Sequence, residues 1–200
     1  MPCDLGGVVV RIDPDRIRSG WARLSMLPPE AVHAAYPDAV YEGFERGEVT
    51  EDEYLGHVRS TLELRGTADQ IRAAFNDLFL GVDMDTVGVL RRIKEQGVLM
   101  LALTNTNRTH HRVWSRRFAD ALDVFDQVHC SHELGCRKPE PEVFGRVLDE
   151  HGLVASEVVF VDDVKGHVEA ARAAGLQAVV FTDAATLKRQ LDELDTGRDA

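Results

Sequence analysis

The stretch Cys3-Asp4-Leu5-Gly6-Gly7-Val8-Val9-Val10, close to the start of the chain, decides the fold. It sets one carboxylate at the end of a short strand-like run, and two glycines follow directly. Glycine has no side-chain bulk and tolerates unusual backbone angles, so this pair lets the backbone turn sharply and lets a ligand approach Asp4. Taken alone, the stretch is equally consistent with an ordinary turn and a solvated Asp4.

The bulk composition restricts the classes of partner. The 200 residues suffice for one core domain with a smaller insert. The 34 acidic and 23 basic residues give a net charge of -11, which argues against nucleic acid and anionic membranes as partners. Three cysteines without metal-ligand spacing, no secretory signal and no membrane-length apolar run predict a cytoplasmic protein.

Residues 13–80 have the pattern of consecutive helices. Asp13-Pro14 offers a cap and a first-turn proline, and the stretches Thr50–Glu53 and Thr67–Gln70 match the capping-box pattern. Apolar residues recur at helical spacing after each of these starts. We therefore expect an all-helical segment.

From Asp83 onward, helical segments alternate with short β-rich runs. Strands are predicted at Val98–Leu103, Gln127–Cys130, Val158–Val161 and Ala178–Phe181. Such alternation is typical of an α/β fold with right-handed parallel crossovers, that is, a three-layer Rossmann-like parallel sheet core. The predicted division is a core of residues 1–12 and 83–200 and an inserted helical cap of residues 13–82 after the first strand.

The first predicted strand is unusually short. Only Met1-Pro2-Cys3 precede Asp4, and Pro2 cannot donate to a strand ladder. Either the strand is short, or the true start of the protein lies upstream of the recorded one.

Four groups of polar residues follow the predicted strands, where open parallel sheets bind ligands. They are Asp4, Thr104-Asn105, Arg137-Lys138-Pro139 and Asp162-Asp163. The first three are ordinary by themselves, whereas the adjacent carboxylates of Asp162 and Asp163 favour a bound cation. Together they supply what phosphoryl transfer needs: a carboxylate nucleophile, hard oxygen ligands for Mg²⁺, a hydroxyl with amides, and a lysine.

The ordered set of Asp4–Val8, Leu103–Asn105, Lys138-Pro139 and Phe160–Asp163 resembles the four motifs of the haloacid dehalogenase-like (HAD) hydrolase superfamily. The segments 44–50, 104–108 and 131–140 look like the subgroup that contains bacterial glucose 1-phosphate phosphatase.

The resemblance implies a role for each motif residue. Asp4 attacks phosphorus and forms an aspartyl-phosphate, and Thr104 and the Asn105 amide hold phosphoryl oxygens. Lys138 neutralises charge on Asp4 and on the phosphoryl group. The Mg²⁺ ligands it implies are Asp4, the Gly6 carbonyl, Asp162 and Asp163.

Two positions depart from the family pattern. Gly6 stands where most of these phosphatases carry a second Asp that acts as general acid and base, so the proton source is open among Glu45, His110 and water. His167 stands four residues beyond Asp163, where relatives often have an Asn that supports the metal site. It either replaces that Asn or is an ordinary helix residue without such a role.

The leading hypothesis is an enzyme, a Mg²⁺-dependent phosphomonoesterase acting on a small phosphorylated metabolite such as a sugar phosphate. A metal-independent 2-haloacid dehalogenase is one alternative. Another is a low-turnover phosphate-binding or regulatory domain, because Gly6 supplies no acid. The sequence leaves the physiological substrate and the oligomeric state open.

Overall fold

A computed structural model describes residues 1–196, and a sheet of five parallel strands runs through it. Within this range the strands are β1 (Pro2–Cys3), β2 (Val10–Ile12), β3 (Phe79–Val82), β4 (Leu101–Thr104), β5 (Gln127–Cys130), β6 (Val159–Asp162) and β7 (Gln177–Val180). The order across the sheet is β5-β4-β1-β6-β7, so the short first strand lies at its centre. Strands β2 and β3 pair antiparallel in a separate ribbon.

Helices follow the strands and fill the segment between β2 and β3. They are α1 (Asp15–Ala22), α2 (Pro29–Ala34), α3 (Ala39–Glu45), α4 (Glu51–Thr61), α5 (Ala68–Phe75), α6 (Met84–Glu95), α7 (Arg108–Arg117), α8 (Ala119–Leu122), α9 (Ser131–Leu134), α10 (Pro141–His151), α11 (Lys165–Ala173) and α12 (Ala184–Thr196). Both predicted capping boxes are present, at the starts of α4 and α5. Among these described helices, none has the length and apolar character needed to cross a membrane.

Helices cover both faces of the five-stranded sheet. Because successive strand residues point to opposite faces, Leu101 and Leu103 pack in one apolar cluster while Met100 and Ala102 pack in another. The first cluster includes residues of α10 and α11, and the second includes residues of α6, α7 and α12. The predicted three-layer α/β fold is therefore confirmed.

Five helices, α1 to α5, lie between β2 and β3, and all of them except α2 contribute rings to one aromatic cluster. The rings of Trp21 and Phe75 stack with centroids 5.5 Å apart, and those of Phe44 and Tyr54 stack at 4.6 Å. These buried rings pack against one another, as core residues do. The segment is the predicted cap, and its division from the core at residues 13 and 83 stays a prediction.

Two predicted element boundaries were wrong by more than one residue. The segment 13–80 is not helical to its end, because Phe79–Val82 forms β3 and pairs with β2, which lies far away in sequence. Strand β4 starts at Leu101 rather than Val98, since its neighbour β1 starts at Pro2 and pairs first with Leu101. Val98 and Leu99 therefore precede the ladder and are each 38% exposed.

Candidate active site

Three carboxylates converge at the carboxyl edge of the sheet. Asp4 follows β1, Asp162 ends the adjacent strand β6, and Asp163 comes next in the chain. One carboxylate oxygen from each lies within 4.8 Å of the other two. Asp4 and Asp162 are buried, whereas Asp163 is exposed. The structure thus brings together the three acidic residues that the sequence singled out.

Lys138 is the counter-ion of this acidic cluster and is fully buried. Its Nζ lies 2.6 Å from Asp162 Oδ2 and 3.0 Å from Asp4 Oδ1, and it donates to the Leu103 carbonyl at 2.8 Å. These three partners use the full donor capacity of an ammonium group. Although burial lowers the pKa of Lys138, the charges of Asp4 and Asp162 raise it above its usual value. Lys138 therefore stays protonated.

Asp4 is held in one orientation by two donors to the same oxygen. Its Oδ1 accepts a hydrogen bond from the Leu5 amide at 2.8 Å and pairs with Lys138. Among the described residues, Oδ2 makes no hydrogen bond, which leaves that oxygen available for attack. Burial raises the pKa of Asp4 to about 6, and the positive charge of Lys138 opposes this rise. A second cation beside Asp4 would favour its ionised form further.

Asp162 is bound on both oxygens. Besides Lys138, it accepts a hydrogen bond from the Val164 amide at 2.8 Å, and His167 Nδ1 lies 3.1 Å from its carboxylate. Burial raises the pKa of Asp162, but the His167 hydrogen bond and the Lys138 charge together hold it below its usual value. His167 is therefore not merely a residue of α11, because it positions the buried acid.

Asn105 holds the backbone of Lys138. Its side chain accepts a hydrogen bond from the Lys138 amide and donates one to the Lys138 carbonyl, each at 2.8 Å. The sequence had pointed only to the Asn105 backbone, as a phosphate donor. The side-chain contact joins the loop after β4 to the loop that carries Lys138, and Thr104 ends β4 beside it.

The two glycines after Asp4 have different reasons for lacking a side chain. Gly7 has a φ of +83°, and a Cβ added there would lie 2.3 Å from the Asp163 carboxylate. At Gly6 an added Cβ would lie 3.1 Å from Cδ1 of Ile12. Gly7 is thus needed for the turn and for Asp163, whereas Gly6 meets an apolar side chain.

A cavity of about 150 Å³ adjoins the charged cluster on the Gly6 side. Gly6, Thr104 and Asn105 contribute to its wall, together with Glu45 of α3 and His110 of α7. A larger cavity of about 450 Å³ includes Met1, Val98 and Leu99, so it lies at the amino edge of the sheet. Parallel sheets bind ligands at the carboxyl edge, so the smaller cavity is the candidate substrate site.

The two side chains considered as proton donors, His110 and Glu45, have different surroundings in the structure. His110 is buried; its Nδ1 lies 3.1 Å from the side-chain Nδ2 of Asn107 and its Nε2 lies 3.1 Å from the Phe75 carbonyl oxygen. Both ring nitrogens are thus engaged within the protein. Burial lowers the pKa of His110 to about 4, although the Phe75 hydrogen bond opposes this fall. His110 is neutral near pH 7 and is a poor candidate for the acid.

Glu45 is buried at the end of α3 and pairs with Arg137, with Oε2 lying 2.9 Å from the guanidinium Nε. It is also hydrogen-bonded to Tyr41, which in turn bonds to Tyr36. Burial raises the pKa of Glu45, and the Arg137 charge opposes this rise. The raised pKa favours the protonated form that a general acid needs. The sequence did not reveal the Arg137 and tyrosine partners, because they come from distant segments.

The acidic cluster fits a magnesium ion by the chemistry of its donors. Mg²⁺ prefers hard oxygen ligands, and the cluster offers carboxylates from Asp4, Asp162 and Asp163. No sulfur or imidazole group belongs to this trio, which distinguishes it from typical zinc sites.

Known proteins share both the sequence pattern and the fold. The family model of the haloacid dehalogenase-like hydrolases matches residues 4–175. The sesquiterpene phosphatase astK of Aspergillus oryzae is 31% identical over 163 residues, which cover 77% of this chain and 78% of that protein. The D-ribitol-5-phosphate phosphatase of Bacteroides thetaiotaomicron is 22% identical over 194 residues, 94% of each chain.

Among solved structures, a HAD family enzyme from Bacteroides thetaiotaomicron in complex with magnesium and inorganic phosphate has a TM-score of 0.78 to this protein. The two chains are 23% identical, and the match covers 90% of this chain and 92% of the other. At this identity the likeness shows a common fold.

Proposed function

Because the chain belongs to the haloacid dehalogenase-like hydrolases, we propose that it is a Mg²⁺-dependent phosphomonoesterase acting on a small phosphorylated metabolite. The observation that carries the proposal is the buried position of Lys138 between Asp4 and Asp162, with Asp163 beside them. The paired charges keep a carboxylate ready for attack next to a site suited to a divalent cation.

In this proposal Asp4, Asp162, Asp163 and the Gly6 carbonyl hold the magnesium ion, which when bound neutralises charge on the phosphoryl oxygens. Two observations support this choice of metal: the oxygen-only donor set, and the magnesium and phosphate bound by the Bacteroides enzyme of the same fold.

The reaction has two displacements at phosphorus. An Asp4 oxygen attacks phosphorus and the bond to the alcohol oxygen breaks, which gives an aspartyl-phosphate on Asp4 and the free alcohol. Water then attacks phosphorus and loses a proton while the bond between phosphorus and the Asp4 oxygen breaks, which releases inorganic phosphate and regenerates the Asp4 carboxylate. Lys138, the Thr104 hydroxyl and the Asn105 amide stabilise the charge on the phosphoryl oxygens throughout.

The departing alcohol needs a proton, and we assign Glu45 to supply it. Glu45 lies on the wall of the cavity that adjoins Gly6 and Thr104, and burial raises its pKa. It gives its proton to the leaving oxygen in the first displacement and accepts one from the attacking water in the second. Glu45 would thus do the work of the second Asp that most of these phosphatases carry at the position of Gly6.

The similar phosphatases suggest two different classes of substrate. The names of the similar phosphatases point to a terpenoid phosphate in one case and to a sugar-alcohol phosphate in the other. The sequence-based suggestion of a sugar phosphate agrees with the second.

The decisive experiment measures phosphate release from a panel of monoesters, including p-nitrophenyl phosphate, with and without Mg²⁺. We expect magnesium-dependent release, and a loss of at least about 10⁴-fold in Asp4→Asn, because the nucleophile is gone. Asp69→Asn, a surface acid paired with Arg72, is the matched control and should retain activity.

Undiminished release by Asp4→Asn would rule out the mechanism. Chloride release from a 2-haloacid that persists in EDTA would favour the dehalogenase alternative. Phosphate or beryllofluoride binding without turnover would favour the regulatory domain.

A further inference from the structure

The cavity beside Asp4 has an apolar wall. Its lining includes six aliphatic or aromatic side chains, Leu5, Val10, Ile12, Ile17, Leu78 and Phe79, and the remainder of the wall carries polar groups. These residues come from the turn after β1, from the β2–β3 ribbon and from the first cap helix. Since Thr104 and Gly6 belong to the phosphoryl side, the cavity is where the alcohol part of a bound monoester would lie.

Several polar side chains on this wall have partners within the protein, whereas Glu45 and Thr104 are the groups assigned above to the leaving oxygen and to the phosphoryl group. The Asn105 side chain binds the Lys138 backbone on both sides, and both His110 ring nitrogens have partners. Trp114 donates its indole N–H to Thr106 Oγ1 at 3.2 Å. A sugar placed here would bring several hydroxyls to a surface with few free partners for them.

The wall keeps its apolar character up to the reacting centre. An added Cβ at Gly6 would contact Cδ1 of Ile12, so an apolar methyl group borders the position at which related phosphatases carry their second acid. The tyrosine hydroxyls at the far side are joined in the chain Tyr36–Tyr41–Glu45. They are therefore occupied as well.

The volume of the cavity limits what it encloses. At about 150 Å³ it is smaller than the roughly 300–1,000 Å³ of pockets that hold drug-sized ligands. A dry apolar cavity of about this volume accommodates a benzene-sized molecule. The enclosed part of the substrate is thus on the order of five or six carbon atoms.

We propose that the substrate is the phosphate monoester of an apolar alcohol, with about five carbons next to the ester oxygen enclosed in this cavity. The inference rests on the proposed phosphomonoesterase function, and it selects a hydrocarbon leaving group over a sugar. A longer hydrocarbon chain would extend from the cavity toward the surface.

The test compares 3-methylbutyl phosphate with glycerol 3-phosphate in the presence of Mg²⁺. Both are primary monoesters with the same number of non-hydrogen atoms beyond the ester oxygen, and they differ in having carbon or hydroxyl groups there. We expect kcat/KM to favour 3-methylbutyl phosphate by about 10- to 100-fold, the usual range for an apolar pocket.

The outcomes separate the inference from the function on which it rests. Equal or faster hydrolysis of glycerol 3-phosphate or D-ribitol 5-phosphate would overturn the inference and leave the phosphatase intact. No release from any monoester, p-nitrophenyl phosphate included, would overturn both.

A pair of variants at Ile12 tests whether the wall sets this preference. Ile12→Val and Ile12→Thr have side chains of nearly the same shape, but threonine adds a hydroxyl to the wall. We expect the preference for 3-methylbutyl phosphate to be about fivefold or more lower in the threonine variant than in the valine variant. An identical preference in two folded variants would show that Ile12 does not face the substrate.

Discussion

The two sides of Gly6 are built in opposite ways. On one side, the charged half consists of Asp4, Lys138, Asp162 and Asp163, where buried charges pair over distances of 2.6 to 3.0 Å. On the other, the apolar half is a small cavity in which polar side chains such as Asn105 and His110 have partners within the protein. The charged half suits the proposed transfer of a phosphoryl group, whereas the apolar half suits the proposed hydrocarbon part of the substrate.

The difference follows from where each half originates. The charged residues lie at or just after the ends of parallel strands, which the fold places together at one edge. The apolar residues lie on the cap segment and its connecting ribbon, and they approach the edge only through tertiary packing. In the proposed function, the groups that act on phosphorus therefore come from the sheet, whereas the proton donor Glu45 and much of the wall that would face the alcohol come from the inserted segment and its ribbon.

The largest effect is expected from removing the cation of the charged half. Lys138→Met leaves Asp4 and Asp162 buried without their shared partner, so we expect about 3–5 kcal/mol lower stability. Phosphate release should fall by about 10²–10³-fold, because charge on the phosphoryl group is no longer balanced. Urea unfolding and phosphate-release assays measure the two effects.

Lys94→Met is the matched control, because Lys94 pairs with Asp126 at 2.9 Å near the surface. An exposed pair contributes up to about 1 kcal/mol, so this variant should unfold close to the parent protein and retain full activity. Equal destabilisation by the two substitutions would contradict the special position of Lys138 between two buried acids.

A smaller and selective effect is expected where the two halves meet. Glu45→Gln should lower the hydrolysis of 3-methylbutyl phosphate by about 100-fold, since an alkoxide leaves poorly without a proton. The initial burst of p-nitrophenol, which reports the first displacement alone, should change by only about threefold, because that leaving group departs as a stabilised anion. The comparison of the two substrates is the measurement.

Glu42→Gln is the control for Glu45, since Glu42 is exposed on the same helix and also lies near Arg137, at 3.4 Å. It should affect both substrates little. An equal loss in the first displacement of both substrates in Glu45→Gln would mean that Glu45 only anchors Arg137.

The charged half could be predicted from the sequence because its signals are local. Asp4, Thr104 and Asp162 each lie at the end of a short apolar run, so the α/β alternation alone places them at one edge. The capping boxes of α4 and α5 are local in the same sense, since cap and partner are three residues apart. The roles of these residues remain predictions, because assays are needed to test them.

The apolar half could not be predicted because its contacts join distant segments. Strand β3 exists only through its pairing with β2, and Glu45 meets Arg137 across 92 positions of the chain. The side-chain role of Asn105 also depends on a loop 33 residues away. No local pattern encodes such pairings, so the sequence leaves the proton donor open among three candidates, and Glu45 is proposed for that role from its place on the cavity wall.

The smallest effect is expected from His110, a polar residue in the apolar half. Its pKa is about 4 in the folded protein and about 6.5 in an unfolded chain. Between these values the unfolded chain binds a proton that the folded protein does not, so the His110 contribution to stability falls as pH decreases from 6.5 to 4. Between pH 6.5 and pH 4, the free energy of unfolding should therefore fall by about 1–3 kcal/mol less in His110→Gln than in the parent protein.

Urea unfolding of the parent and His110→Gln at several pH values between 4 and 8 measures this difference. The variant should show the flatter dependence, even if it is less stable at pH 8 through lost contacts with Phe75 and Asn107. Parallel curves would mean that His110 takes up its proton equally in both states, which its burial and its two engaged nitrogens oppose. Because His110 is neutral in the folded protein, phosphate release near pH 7 should change little, in contrast to Glu45 on the same wall.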